Sequence, residues 1–387
     1  MSEANHLYLH VPFAAHPSVC FEGYAVHPPL LLDTFVQALA YEIDAYAAEY
    51  AGLGVIDTIV VNGGTPSVLT LPDVFQLLSL ARRSYQVSDT AEITFRVSPL
   101  HASATYFDGL KGAGVTRLDV DVQSFFDEDL ESIGVPYDGY TAEMAVRHAL
   151  ATGFEHVSVN LAFGLPEQPD EYAAANLERA IRLGVDHIAT FGVTETEAAL
   201  MRRNAGFSDE ELDPDLDPGP RYDLVVDYLA DQGFSQYEMA HFSRSGAESR
   251  HALGAWRHDN LLGFGPSAQS LWTRRLPTPK TQIWSNIPDV ERYQMALFGG
   301  QLPLEQRYTT TLDALTEDFM MMQLRTSTGL DLDDLAHRYG YDLLLDRIDA
   351  LADLESAGLI HPIRNSQVRL TDEGRFSQGE AFEALLP

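Results

Sequence analysis

The 387-residue sequence predicts an α/β fold, a parallel sheet of about six βα units followed by a smaller α+β module. Three observations carry this expectation. Short β-rich runs alternate with helical stretches through the first half of the chain. An acidic, proline-bearing stretch then breaks the pattern. Near the C-terminus, two amphipathic helices precede a glycine and one short strand.

The β-rich runs lie at residues 7–13, 55–61, 91–97, 117–124, 156–163 and 187–193. Between them, stretches such as 31–50, 71–85 and 172–183 place apolar residues three and four apart, the period of a helix with one buried face. Strands separated by helices must run parallel, because a parallel pair needs a long crossover. Residues 208–220 are acidic with three prolines and read as a loop or lid, followed by a helix over 221–232. Residues 234–284 are rich in Gly, Ser, His and Trp with little periodicity, and are expected to form ordered loops and short strands packed on the sheet. Helices over 312–324 and 343–356, then Gly358 and a strand over 367–370, complete the chain in the order of a winged-helix module. No internal repeat or low-complexity tract is present.

Asp and Glu number 57 and Lys and Arg 25, a formal charge of −32. Such a chain repels phosphate backbones and anionic lipid heads, so nucleic acid and membrane are not expected as partners. Lys111 and Lys280 are the only lysines. Acid excess with lysine depletion fits adaptation to high salt, and it fits an acidic protein from a GC-rich genome equally well. Cys20 is the only cysteine, which excludes an intrachain disulfide and a cysteine-rich metal site. Residues 1–6 are short and polar without a secretory pattern, and no apolar run reaches the ~20 residues of a membrane helix, so a cytoplasmic protein is expected.

Several separated segments occur in a telling order. They are Leu7-Tyr8-Leu9-His10-Val11-Pro12-Phe13, Asn62-Gly63-Gly64-Thr65-Pro66-Ser67, Arg117-Leu118 through Gln123-Ser124-Phe125, and Phe163-Gly164-Leu165-Pro166. Further on come Gln236-Tyr237-Glu238, Glu248-Ser249-Arg250-His251 and Gly263-Phe264-Gly265-Pro266. Together they resemble the HemN/HemW branch of the radical-SAM superfamily over nearly the whole chain. The resemblance implies a partial (β/α)6 TIM-like barrel over residues 1–203, an extension packed on it over 204–305, and a winged-helix-like module over 306–387.

The departures from that family bear on function. There the first strand runs into Cys-x-x-x-Cys-x-x-Cys, whose thiolates hold a [4Fe–4S] cluster with one iron left open for S-adenosylmethionine. Aligned on residues 10–13, the ligand positions here are Ala14, Ser18 and Phe21. Methyl and benzyl groups cannot ligate iron, and a serine hydroxyl substitutes poorly for thiolate. A shifted alignment recruits Cys20 as one ligand and His16 as an unusual second. The plain structural role of Cys20 is a small buried hydrophobe. No [4Fe–4S] cluster is therefore expected.

The mouth of the barrel is also changed. If Gln123 points inward as its match does, alternation puts Arg117, Asp119 and Asp121 on the same inner face. The family has serine and glycine at 119 and 121, a glutamate at 96 and an aspartate at 160, where this chain has Arg96 and Asn160. A direct ion pair between Arg96 and Asp121 would satisfy both charges. Inward aspartates at the C-terminal ends of barrel strands could instead serve as acid/base groups or metal ligands.

In the family the Gly63, Gly64, Thr65 turn receives the amino group of S-adenosylmethionine, and Gln123 matches a further contact. Without cluster iron, affinity for S-adenosylmethionine is expected to be poor or absent, and a tight βα connection also accounts for the glycines. HemW-type haem chaperones carry His-Asn-x-x-Tyr-Trp, with the histidine associated with haem. This chain reads His251-Ala252-Leu253-Gly254-Ala255-Trp256, flanked by His241 and His258. His251 is thus the candidate haem ligand and Trp256 a candidate aromatic face, unless both are relics of ancestry.

Two functional classes follow. One is a non-catalytic homologue that binds haem, a porphyrin or a partner protein. The other is an enzyme with new acid/base or metal chemistry from Asp119, Asp121, Arg96 and Glu195. Oxygen-independent coproporphyrinogen III oxidase chemistry is opposed by the missing cluster ligands.

Overall fold

The computed structural model describes residues 4–14, 29–52, 54–165, 168–193, 219–274 and 280–386. Six parallel strands follow in chain order: β1 (Asn5–Val11), β2 (Ile56–Gly63), β3 (Val87–Val97), β4 (Arg117–Gln123), β5 (His156–Phe163) and β6 (His187–Gly192). Between them in sequence lie α1 (Pro29–Tyr50), α2 (Leu71–Ser84), α3 (Ala104–Gly112), α4 (Asp127–Ser132), α5 (Gly139–Thr152) and α6 (Asp170–Leu183). Local chemistry sets the helix limits. Thr70 and Asp73 form a reciprocal capping box at the start of α2, satisfying N–H groups that a first turn leaves open. Gly153 and Gly184 close α5 and α6 in the left-handed conformation that glycine adopts without strain.

The strands have two unlike faces. Leu7, Leu9 and Val11 of β1 share a buried cluster with Phe35, Leu39 and Ile43 of α1. On β4, Leu118, Val120 and Val122 belong to the same cluster. Each such large apolar side chain contributes ~1.5–3 kcal/mol when removed from water. Period-two alternation sends the intervening polar residues to the opposite face.

Beyond α7 (Gly219–Asp231), the sheet grows at both sides. Strands β7 (Ser235–Glu238) and β8 (His241–Ser243) add antiparallel beyond β6. After α8 (Arg250–Trp256), β9 (Asn260–Phe264) pairs in parallel with β1 on the side away from β2. Then β10 (Gln269–Arg274), β11 (Lys280–Asn286) and, after α9 (Val290–Phe298), β12 (Leu304–Thr309) continue antiparallel. The order is β12-β11-β10-β9-β1-β2-β3-β4-β5-β6-β8-β7, a 12-stranded sheet with no closed barrel among the described residues. The expected six-strand parallel sheet therefore gains β9, whose five residues are too few to show a period in sequence.

The C-terminal module packs α10 (Leu312–Leu324), α11 (Leu332–Tyr339), α12 (Leu343–Ser356), α13 (Asp372–Phe376) and α14 (Gln378–Leu385) against a two-stranded β13 (Leu330–Asp331) and β14 (Gln367–Val368). It has its own core, including Phe319, Leu335, Leu351 and Val368. It docks near the end of α8, where Gln323 Nε2 donates to the Trp256 carbonyl (2.7 Å) and Asp318 meets His258 Nε2 (2.9 Å). No helix among the described residues is long and apolar enough to cross a membrane.

Candidate functional site

The polar face of the parallel strands carries two groups of side chains, one toward the C-terminal ends of the strands and one toward the N-terminal ends. At the C-terminal ends, Asp121 is buried and accepts from Gln123 Nε2 (2.8 Å) and Asn160 Nδ2 (3.3 Å). Burial raises its pKa, while the nearby Arg96 charge and the Asn160 hydrogen bond oppose the rise. The expected direct pair with Arg96 does not form: β3–β4 register sets Arg96 across from Asp119, and Arg96 acts on Asp121 as a charge at a distance. Asp119 approaches Arg117 Nε instead (3.9 Å). The sequence could not supply this, because alternation gives the face of a residue and not the register between strands. Gln123 keeps to the Asp121 side with φ 64°, where β4 is irregular against β5.

The glycine turn after β2 packs on the chain leaving β1. Gly63 has φ 117°, Gly64 N–H donates to the Val11 carbonyl (2.8 Å) and Thr65 N–H to that of Phe13 (2.6 Å). A Cβ on Gly64 would lie 2.3 Å from the Phe13 oxygen, so only glycine permits this approach. Ala14, at the first cluster-ligand position, is buried with 5% exposure. Ser18 and Phe21, together with His16, Cys20 and Glu195, lie outside the described residues.

At the N-terminal ends, the short helix α8 lies against β1 and β2. Ser249 caps it by accepting the Ala252 N–H, and Glu92 of β3 accepts the N–H of His251 (3.3 Å). His251 is largely enclosed. Its Nδ1 is 2.8 Å from Thr58 Oγ1, and the same oxygen is 2.8 Å from His6 Nδ1. The His6 ring meets His251 edge-on at 5.5 Å, and Tyr8 stacks over it at 6.2 Å. Burial, reinforced by His6, lowers the His251 pKa to about 3, so the imidazole is neutral at physiological pH. No described residue partners its Nε2. Gly254 lets the helix approach, since a Cβ there would sit 2.2 Å from His6 Nε2. Tyr8 Oη in turn lies 3.1 Å from Nδ1 of His10, whose pKa burial lowers to about 4.

Beneath this group, Arg117 is almost fully buried, 3.6 Å from Glu92 and donating to the Ala247 carbonyl (3.0 Å). The structure separates the other residues named from sequence. His241 pairs with Glu238 (2.6 Å), and His258 is committed to Asp318 and Tyr339. Trp256 is half-buried, and its carbonyl joins α8 to the C-terminal module. Sequence reasoning missed His6, Tyr8, Thr58 and Glu92. The alternation His6, Tyr8, His10 on one strand was the available signal for the first two.

Comparison with known proteins accords with this architecture. A radical SAM superfamily model matches residues 36–180, and a HemN C-terminal domain model matches 310–377. The heme chaperone HemW of Mycobacterium tuberculosis is 30% identical over 335 residues, covering 84% of this chain and 83% of that protein. The heme chaperone HemW of Bacillus subtilis is 28% identical over 386 residues, covering 98% of each. The coproporphyrinogen III oxidase HemN of Escherichia coli shares the fold with a TM-score of 0.83 at 23% identity, covering 100% of this chain and 90% of that one. The chain belongs to the HemN/HemW family of radical-SAM proteins.

Proposed function

We propose that this chain is a haem-binding member of its family that works without a [4Fe–4S] cluster, and that His251 would hold the haem iron. The observation that carries the reading is the His251 ring: neutral, held through Nδ1 by Thr58, with no partner for Nε2 among the described residues. That is the donor state an iron centre requires of imidazole. Bound haem would supply the iron; Tyr8 and Glu92 hold the ligand's ring and backbone in place. The heme chaperone relatives, which span the chain, support the same ligand class.

The donor set does not fit a cluster. Three thiolates cannot come from a chain with one cysteine, and Ala14 has no donor atom. No reaction step is therefore assigned to cluster or S-adenosylmethionine. Anaerobic reconstitution with iron and sulfide is expected to give no stoichiometric chromophore; a cluster absorption lost on Cys20→Ala would refute this.

The test of haem ligation is a titration into the pure protein. A shifted Soret band at near one equivalent is expected, lost in His251→Ala and kept in His241→Ala and His258→Ala. Haem adsorbs to apolar surfaces, so the variant contrast decides. An unchanged band in His251→Ala removes the reading and favours a protein-binding role.

A second reading rests on Asp121, a buried carboxyl of raised pKa at the strand ends where barrel enzymes place chemistry, with Asp119 and Arg96 nearby. Its Oδ1 already accepts from both Gln123 and Asn160, which favours a structural role.

A further inference from the structure

We propose that Asp259, His6 and Thr58 act as positioning residues that fix the ring tautomer of His251. The proposal rests on the reading of His251 as an iron ligand, and it makes a separate claim about the ligand-free protein. The Thr58 hydroxyl lies 2.8 Å from both His251 Nδ1 and His6 Nδ1. A hydroxyl has one proton, so it donates to one ring and accepts from the other. With both rings neutral, two arrangements satisfy both contacts. In the first, His251 carries its proton on Nδ1 and donates to Thr58, which donates to His6 Nδ1. The proton of His6 is then on Nε2. In the second, every proton is reversed, and His251 carries N–H at Nε2.

Asp259 decides between them. Its carboxylate Oδ2 is 3.6 Å from His6 Nε2, a nitrogen that is buried and has no hydrogen-bond partner among the described residues. At that distance the contact is a charge interaction rather than a hydrogen bond. A carboxylate attracts an N–H and repels a lone pair, and the effect is strong because His6 is only 3% exposed. Placing the His6 proton on Nε2 forces Thr58 to donate to His6 Nδ1. Thr58 must then accept from His251 Nδ1–H. The outcome is a lone pair at His251 Nε2.

The geometry also shows why the chain of contacts is rigid. The close approach at Gly254 presses α8 onto the His6 ring, and Thr58 sits on β2 in register with His6 of β1. The connection spans three segments that are distant in sequence, with separations of 52 residues from His6 to Thr58 and 193 from Thr58 to His251. Two imidazoles bridged by one hydroxyl transmit a proton position without moving a ring.

The test uses the full chain without haem. Long-range proton–nitrogen NMR on histidine-labelled protein reads which nitrogen of His251 bears the proton. Nδ1–H is expected in the wild type. Thr58→Val keeps the shape and removes the hydroxyl, and it should move the population toward Nε2–H. Thr58→Ser should restore the wild-type pattern, which a loss of packing would not explain. Asp259→Asn should mix the tautomers. With haem, Thr58→Val should weaken binding roughly 10- to 100-fold, the usual effect of removing an outer-shell partner. Nε2–H in the wild type, or no change in Thr58→Val, overturns the proposal. If the tautomer pattern holds while His251→Ala leaves the Soret band unchanged, the haem reading has failed and the proton relay has not.

Discussion

The same face of the same sheet treats its polar residues in two ways. Toward the C-terminal ends of the strands, Oδ1 of Asp121 accepts from the amides of Gln123 and Asn160, and the glycine turn is filled by the chain leaving β1. Toward the N-terminal ends, imidazoles are wired to one another, and the Nε2 atoms of His6 and His251 have no hydrogen-bond partner among the described residues. The first arrangement commits one carboxyl oxygen to two neighbouring amides, while the second keeps imidazole nitrogens without a hydrogen-bond partner among the described residues. The difference teaches that a ligand site is marked less by buried polarity than by what that polarity leaves unsatisfied.

The largest expected effect tests the foundation of the lower group. Arg117→Leu leaves the buried Glu92 without its nearby cation and is expected to destabilise the protein by ~3–5 kcal/mol in urea unfolding. A loss below ~1 kcal/mol would mean that the lower group is solvated, and the contrast would fail.

The two groups should also respond oppositely to pH. His251 has a folded pKa of about 3 against an ordinary 6.5, so between those values the unfolded chain binds a proton that the folded one does not. Stability from this residue is full above 6.5 and is lost as pH falls toward 3. Between pH 7 and 4, wild type should lose ~2–3 kcal/mol more than His251→Phe, allowing for the ring's partial exposure. Equal losses in parallel unfolding curves would count against a neutral, enclosed ring.

Gly254→Ala sets local preference against packing. Inside a helix, alanine is favoured over glycine by ~1 kcal/mol. Here the added methyl meets the His6 ring, and a net loss of ~1–3 kcal/mol is expected in thermal or chemical unfolding. A gain in stability would show that α8 does not press on His6.

The smallest effect belongs to the upper group. Asp121 has a raised folded pKa, so the stability it gives by staying protonated is present below about 3.8 and is lost as pH rises through the folded value. Asp121→Asn removes the buried charge and keeps an acceptor for Gln123. It should change stability by less than ~1 kcal/mol, stabilising at neutral pH with a gain that fades on acidification. A loss of several kcal/mol would identify a paired charge and move interest to the upper group.

Much of the scaffold was legible. Alternation put Arg117, Asp119 and Asp121 on one face, and the helical periods of residues 312–324 and 343–356 match α10 and α12. Pairing was not legible. Parallel strands slide relative to each other, so Arg96 faces Asp119 although the charges alone suited Asp121 equally. His251 was visible as a motif remnant, but Thr58 is an unremarked threonine in a β-rich run. Only the packing of α8 across the sheet, 193 residues away in sequence, gives that hydroxyl its role.

The placement of β9 has a consequence for synthesis. Strand β1 takes one neighbour from β2 and the other from β9, with Asn5 bonded to Asn260 across 255 residues. A nascent chain therefore emerges with its first strand unable to fill both flanks until two-thirds of the protein has been made. High contact order slows folding and leaves an edge exposed to other strands while it waits. Truncations that end before β9 should expose β1 in the same way and aggregate, whereas removing the C-terminal module leaves the sheet around β1 intact.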